Sequence, residues 1–68
     1  MTVQQLRSQP NAFQNGYMDT KLAMASWDEN LGYTKYLYSI KLRSAAESNA
    51  SKDYQNGVCQ CLHDLGFD

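Results

Sequence analysis

Cys59, Cys61 and His63 put two thiols and an imidazole within five residues of each other. Such groups can act as nucleophile and base, or as metal ligands. Cys59 and His63 stand four residues apart, so on a helix they share a face and could pair as thiolate and imidazole. His63 is the one histidine of the chain, and every Ser-His-Asp or Cys-His arrangement must use it. A substrate pocket of the usual ~300–1,000 Å³ is hard to enclose with so short a chain. No enzymatic activity is therefore expected. As metal ligands the three fare no better. On a helix, Cys61 points about 200° away from Cys59, and the set cannot converge. On a strand all three would face one side, but a tetrahedral zinc still needs a fourth ligand, and there is no second Cys/His cluster. Neither metal nor cofactor is expected. Cys61 reads as core, and Cys59 as a partly exposed helix residue. Glycines at 16, 32, 57 and 66 form no phosphate-cradling loop.

Binding is the remaining chemistry. The segment from Tyr33 to Arg43 carries Tyr33, Tyr36, Tyr38, Lys35, Lys41 and Arg43 and no acid. Lysine and arginine would neutralise phosphates, and tyrosines would stack on bases. Against a nucleic-acid target, the chain as a whole carries a net charge of −1 and a pI near 5.6, whereas nucleic-acid domains are characteristically basic. Asp28 and Glu29 also lie one turn before the segment. The aromatic and methionine surplus points elsewhere. Trp27, Tyr33, Tyr36, Tyr38, Met18 and Met24 exceed what the core of a small bundle can hold, and they are the types enriched in interface centres. The expected partner-binding residues are Trp27, Tyr33, Tyr36, Tyr38, Lys41 and Arg43. The expected partner is a larger host protein or complex, blocked by occlusion. The alternative is the ribosome or a structured RNA, bound through residues 33–43. A homodimer with a structural role is a third expectation.

These residues need elements to position them. Thr2 and Gln5 form a capping-box pattern for a short first helix, which Pro10 ends. Pro10 also suits the first turn of the next helix. In that helix Phe13, Tyr17 and Met24 share one side, with Met18, Leu22 and Ala25 beside them. Ser26-Trp27-Asp28-Glu29 reads as a second capping box, so a central helix is expected from about Ser26 to Glu47. Along it Leu31, Tyr38, Leu42 and Ala45 share a face. Residues 33–43 also alternate as a strand would, with strand-favouring residue types. A lone strand would have no partner in this chain, so the helix is preferred. Ser48-Asn49-Ala50-Ser51 reads as a polar linker, and Ser51 caps the last helix. There Tyr54, Val58, Cys61, Leu62 and Leu65 recur at helical spacing. Gly66 and Phe67 suit a Schellman ending. The fold class is all-α: a small three-helix bundle with a short extra N-terminal helix, in one domain spanning 1–68. Local contacts would dominate it and make it fold fast.

Two segments echo one another. Phe13-Gln14-Asn15-Gly16-Tyr17 and Tyr54-Gln55-Asn56-Gly57-Val58 each run aromatic, Gln, Asn, Gly, large apolar residue. An aromatic followed three residues later by glycine suits close helix packing, because the glycine lets a neighbouring backbone or ring approach. With Met18 and Asp19, the first segment resembles the aromatic-x-x-Gly-Tyr pattern of the ribosome modulation factor family and of many short phage and prophage proteins. The resemblance covers about ten residues at each motif. It implies two paired helices that each carry the motif, a ribosomal RNA target, and an origin as a small phage or mobile-element accessory protein. The family is strongly basic and this chain is slightly acidic. The implied origin therefore carries over better than the implied target, and an inhibitor of a host or defence complex is the sharpest expectation.

A chain of 68 residues builds a core worth only ~3–5 kcal/mol unless something staples it. Cys59 and Cys61 are too close in sequence for an ordinary structural disulfide, which suggests a reducing compartment. Residues 1–20 show no apolar signal segment, so a cytoplasmic location is expected and the Asn49-Ala50-Ser51 sequon carries no meaning. No apolar run approaches the ~18 residues of a membrane span.

Overall fold

A computed structural model describes residues 1–49 and 51–67 of the chain. Four α-helices and one short 3-10 turn follow each other: α1 (Val3–Arg7), α2 (Asn11–Ala25), the turn Glu29–Leu31, α3 (Lys35–Asn49) and α4 (Lys52–Asp64). No strand occurs among the described residues. The architecture is a small all-α bundle in which a short N-terminal helix precedes three longer ones.

The helix ends follow local chemistry. Thr2 Oγ1 accepts from the Gln5 amide at 3.1 Å, and the Gln5 side chain accepts from the Thr2 amide at 2.9 Å, a complete capping box. Ser51 Oγ accepts from the Tyr54 amide at 3.2 Å and starts α4. At the other end of α4 the Gly66 amide donates to the His63 carbonyl at 3.1 Å, and the Phe67 amide to the Leu62 carbonyl at 2.9 Å. Gly66 has φ of 87°, where a β-carbon would be strained. This is the Schellman pattern, and Phe67 packs back on the cluster that contains Leu62.

The central helix begins nine residues later than the Ser26-Trp27-Asp28-Glu29 pattern suggests. Ser26 instead ends α2, its amide donating to the Leu22 and Ala23 carbonyls. Asp28 Oδ1 accepts from the Asn30 amide at 2.9 Å and caps the 3-10 turn. Gly32, at φ of 86°, then reverses the chain, and Thr34 Oγ1 accepts from the Leu37 amide at 3.1 Å to start α3. Leu31 therefore lies outside the helix and shares no face with Tyr38. Residues 35–43 are helical, not extended. The proposed linker is shorter than expected as well: Ser48 and Asn49 belong to α3, while Ala50 lies outside the described residues.

A backbone-to-backbone contact joins the two echoed motifs. A β-carbon placed on Gly16 would lie 2.2 Å from the Tyr54 carbonyl oxygen; one on Gly57 would lie 2.1 Å from the Phe13 carbonyl oxygen. Each glycine thus seats the backbone at the aromatic that opens the other motif. The relation is reciprocal, so α2 and α4 approach backbone to backbone at one level. Two apolar clusters grow from this contact. Phe13, Tyr17 and Cys61 are buried together under Leu6 of α1. Met24, Val58 and Leu62 are buried with Ala46 of α3, and Tyr38, Leu42, Tyr54 and Phe67 pack around them.

The inner side of α3 is made of Ser39 and Ala46, flanked by Tyr38 and Leu42. Ala45, expected on this face, is exposed. Buried Ser39 donates its hydroxyl to the Tyr36 carbonyl, so no polar group is left unpaired at the contact. On α2, Phe13, Tyr17 and Met24 point inward, while Met18 and Leu22 are exposed, Leu22 at 71%. The same holds at the end of α4, where Leu65 is exposed.

Candidate functional site

The connection from α2 to α3 and the first turns of α3 hold most of the expected partner-binding residues, but in two groups. Trp27 Nε1 donates to the Tyr33 carbonyl at 3.1 Å and staples the connection across Gly32. The Tyr33 and Tyr38 rings stack, with centroids 5.9 Å apart and planes 22° from parallel. Lys41 Nζ stands 5.0 Å from the Tyr33 ring centroid, in reach of the ring's negative face. Trp27, Tyr33, Tyr38 and Lys41 thus form one internally satisfied cluster. Trp27 and Tyr33 belong to the connection and not to the central helix. Tyr38 also leans on the core. Arg43 is partly buried and engaged within the molecule.

Tyr36 stands apart from this cluster. It is 59% exposed, and Leu37 and Ile40 beside it are 48% and 40% exposed. At 3.6 residues per turn, positions 36, 37 and 40 adjoin on one face, turned away from the side that packs on the core through Tyr38, Leu42 and Ala46. Leu37 and Ile40 belong to this site but were absent from the sequence-based set. The signal for them was present: residues 33–42 are apolar or aromatic nearly all round, which one buried side cannot absorb.

The reactive residues do not converge as a set of three among the described residues. Cys61 is 1% exposed. Burial, reinforced by the Asp64 carboxylate, pushes its thiol up, so at neutral pH it is an apolar core side chain. Cys59 and His63 lie on the more exposed part of α4. Among the described residues no group of three His, Cys, Asp or Glu side chains could hold a metal ion. A hollow of about 280 Å³ between α2, α3 and α4 is lined by Asp19, Thr20, Tyr54 and aliphatic side chains, with no cysteine or histidine. No helix among the described residues is long and apolar enough to cross a membrane.

Asp64 is the most heavily bonded carboxylate. The amine of Met1 and the Tyr17 hydroxyl both donate to Oδ2, the latter at 2.6 Å, and Gln60 Nε2 donates to Oδ1 at 2.9 Å. These donors, the amine first, hold the carboxyl down at about 2. Burial and the bond to Asp64 push the Tyr17 hydroxyl up to about 12. Both effects fasten the chain's start and α2 to the end of α4, which is structural work. A folded-state value below the ordinary ~3.9 of an aspartate means that stability is present above that pH. It is lost as pH falls from about 4 through about 2. Tyr17 mirrors this on the alkaline side, where stability falls as pH rises from about 10 through about 12. Denaturant titrations at stepped pH check both limbs. Asp64→Asn should be less stable than the parent at pH 7 and should flatten the acid limb; an unchanged acid slope would remove Asp64 as its cause.

No family model matches the chain, and no match was found among curated proteins or solved structures.

Proposed function

We propose that this chain is a non-enzymatic protein-binding module that docks through the outer face of α3 and occludes a site on a larger partner. One observation carries the reading: Tyr36, Leu37 and Ile40 stand exposed together on a helix whose opposite side is already spent on the protein's own core. Isolated exposed apolar residues are ordinary, whereas a contiguous group marks a binding surface. Among the described residues no group of three His, Cys, Asp or Glu side chains is placed to hold a metal ion, and a compact body is what the chain offers a partner under this reading. In its sharpest form the partner is a host or defence complex, and the protein is a small inhibitor from a phage or mobile element, the origin that the motif resemblance implies.

The ribosome or a structured RNA is the competing target. It would use Lys41, Tyr33 and Tyr38, yet these are held against one another. Leu37 and Ile40, exposed beside Tyr36, offer nothing to phosphate. Affinity capture from host lysate, with and without nuclease, separates the two. The expected partner is a protein that survives nuclease and stays bound as salt rises from about 50 to about 200 mM. A phosphate-dominated contact loses orders of magnitude in affinity over that range, and partners lost in either arm overturn the reading.

A further inference from the structure

We infer that the hollow between α2, α3 and α4 is a binding site for a small primary amine with an apolar body. Its walls follow from how the helices meet. The glycine seat draws α2 onto α4. Where α3 meets the pair, Ala23 of α2 and Ala45 and Ala46 of α3 are too short to fill the space. About 280 Å³ is left, with Leu42 and Val58 completing an apolar surface. A cavity of about 150 Å³ already takes benzene, so this one has room for a ring and a short chain.

Two polar groups give the hollow a sign and a direction. Thr20 lines it and is 3% exposed, yet among the described residues its hydroxyl has no hydrogen-bond partner. A hydroxyl on a helix commonly turns back to a carbonyl three or four residues earlier, as Ser39 and Ser48 do on α3. Among the described residues no fully enclosed side-chain oxygen lacks a partner, so the Thr20 hydroxyl opens into the hollow. Next to it in sequence, the exposed Asp19 carboxylate accepts from the Tyr54 hydroxyl at 2.8 Å, which holds it at the mouth. Among the described residues no cation pairs with Asp19, and no lysine, arginine or histidine lines the hollow. A single negative charge and an unused hydroxyl beside an apolar wall suit an ammonium group. It has three donors and no acceptor: one serves the Asp19 carboxylate and one the Thr20 oxygen, while the body lies against Leu42 and Val58. An anionic ligand would be repelled, and a neutral one would leave the charge without a partner. The site shares no residue with Tyr36, Leu37 and Ile40, so it stands apart from the docking reading.

Titration of the ¹⁵N-labelled full chain with phenethylamine tests this, with phenethyl alcohol and phenylacetate as neutral and anionic counterparts of the same ring. Shifts are expected at the amides of Thr20, Ala23, Ala46 and Val58. The amine should bind about tenfold tighter than the alcohol, and phenylacetate should not bind. Asp19→Asn, which keeps an acceptor for Tyr54, should remove the preference for the amine. Thr20→Val should weaken amine binding about fivefold and leave the melting temperature at the parent's value, because the free protein has no bond there to lose. No shift with the amine up to about 10 mM, or equal affinities for the amine and the alcohol, would overturn the inference. So would unchanged amine binding by Asp19→Asn or Thr20→Val, or shifts confined to residues outside the hollow.

Discussion

Gly57→Ala should unfold this protein or lower its melting temperature by more than about 10 °C. The added β-carbon would sit 2.1 Å from the Phe13 carbonyl oxygen and 2.9 Å from the Tyr17 nitrogen. Both are backbone atoms, so no rotamer change relieves the clash, and the two helices must move apart. Because the contact is reciprocal, separation also opens the seat of Gly16 on Tyr54. It loosens Cys61 against Phe13 and Tyr17 as well. Overpacking of a core costs about 1–3 kcal/mol, and more where nothing can yield. Alanine's better helix propensity returns only about 1 kcal/mol. A net loss of about 2 kcal/mol or more is a large part of the ~3–5 kcal/mol that a core of this size supplies. For a domain of this length each kcal/mol is worth about 4–8 °C. Gly16→Ala should behave alike. Thermal melts followed by circular dichroism measure the effect, with Asn56→Ala on the exposed side of the same turn as the control. A Gly57→Ala variant that melts within a few degrees of the parent would disprove the backbone contact.

The second large effect is on binding. Tyr36→Ala should weaken partner affinity by about 2 kcal/mol, or roughly thirtyfold, while leaving stability within about 0.5 kcal/mol of the parent. Tyr36 is the most exposed of the three outward residues on α3, and only its backbone carbonyl is used internally, by Ser39. Tyr38→Ala makes the contrast. Its ring stacks on Tyr33 and packs on the Met24–Leu62 cluster, so its loss should lower stability first. Calorimetric titration of each variant with the captured partner, beside its thermal melt, separates the two roles. If Tyr36→Ala binds as the parent does and Leu22→Ala does not, the docking face lies on α2.

What could be read from the sequence divides along a physical line. The capping box at Thr2, the Ser51 cap and the Gly66–Phe67 ending were legible because each is decided within a few residues. The glycine echo was legible as a packing signal because only glycine leaves the room that a second backbone needs. The start of α3 was not. Ser26-Trp27-Asp28-Glu29 satisfies the capping pattern locally, but the left-handed turn at Gly32 and the Thr34 cap offer a competing start, and Trp27 fixes that choice by bonding across the turn. Periodicity was also too weak to orient α2, where it showed one broad apolar stripe; the close approach at Gly16 turns Tyr17 inward and leaves Met18 out. At the candidate site, composition could show that there were too many aromatics for the core. It could not show that Trp27, Tyr33, Tyr38 and Lys41 are joined to one another, because that depends on the chain reversing between Trp27 and Tyr33. Hence the expected set included Tyr36 but not Leu37 and Ile40, which stand exposed beside it.

The glycine seat also bears on the order of assembly. Gly16 and Gly57 lie 41 residues apart in sequence, and the 26 residues from Ser26 to Ser51 run between their helices. The backbone-to-backbone contact is thus reached only after that long loop has closed. This raises the entropic barrier above that of a bundle whose sequence neighbours pack first. Local contacts dominate the fold as expected, but the α2–α4 closure is a step that they do not themselves supply. The rate is therefore expected to follow the meeting of α2 and α4, in which the outer face of α3, carried on the loop, takes no part. Replacements at Tyr36, Leu37 or Ile40 are therefore expected to alter the proposed docking face without slowing how the protein forms.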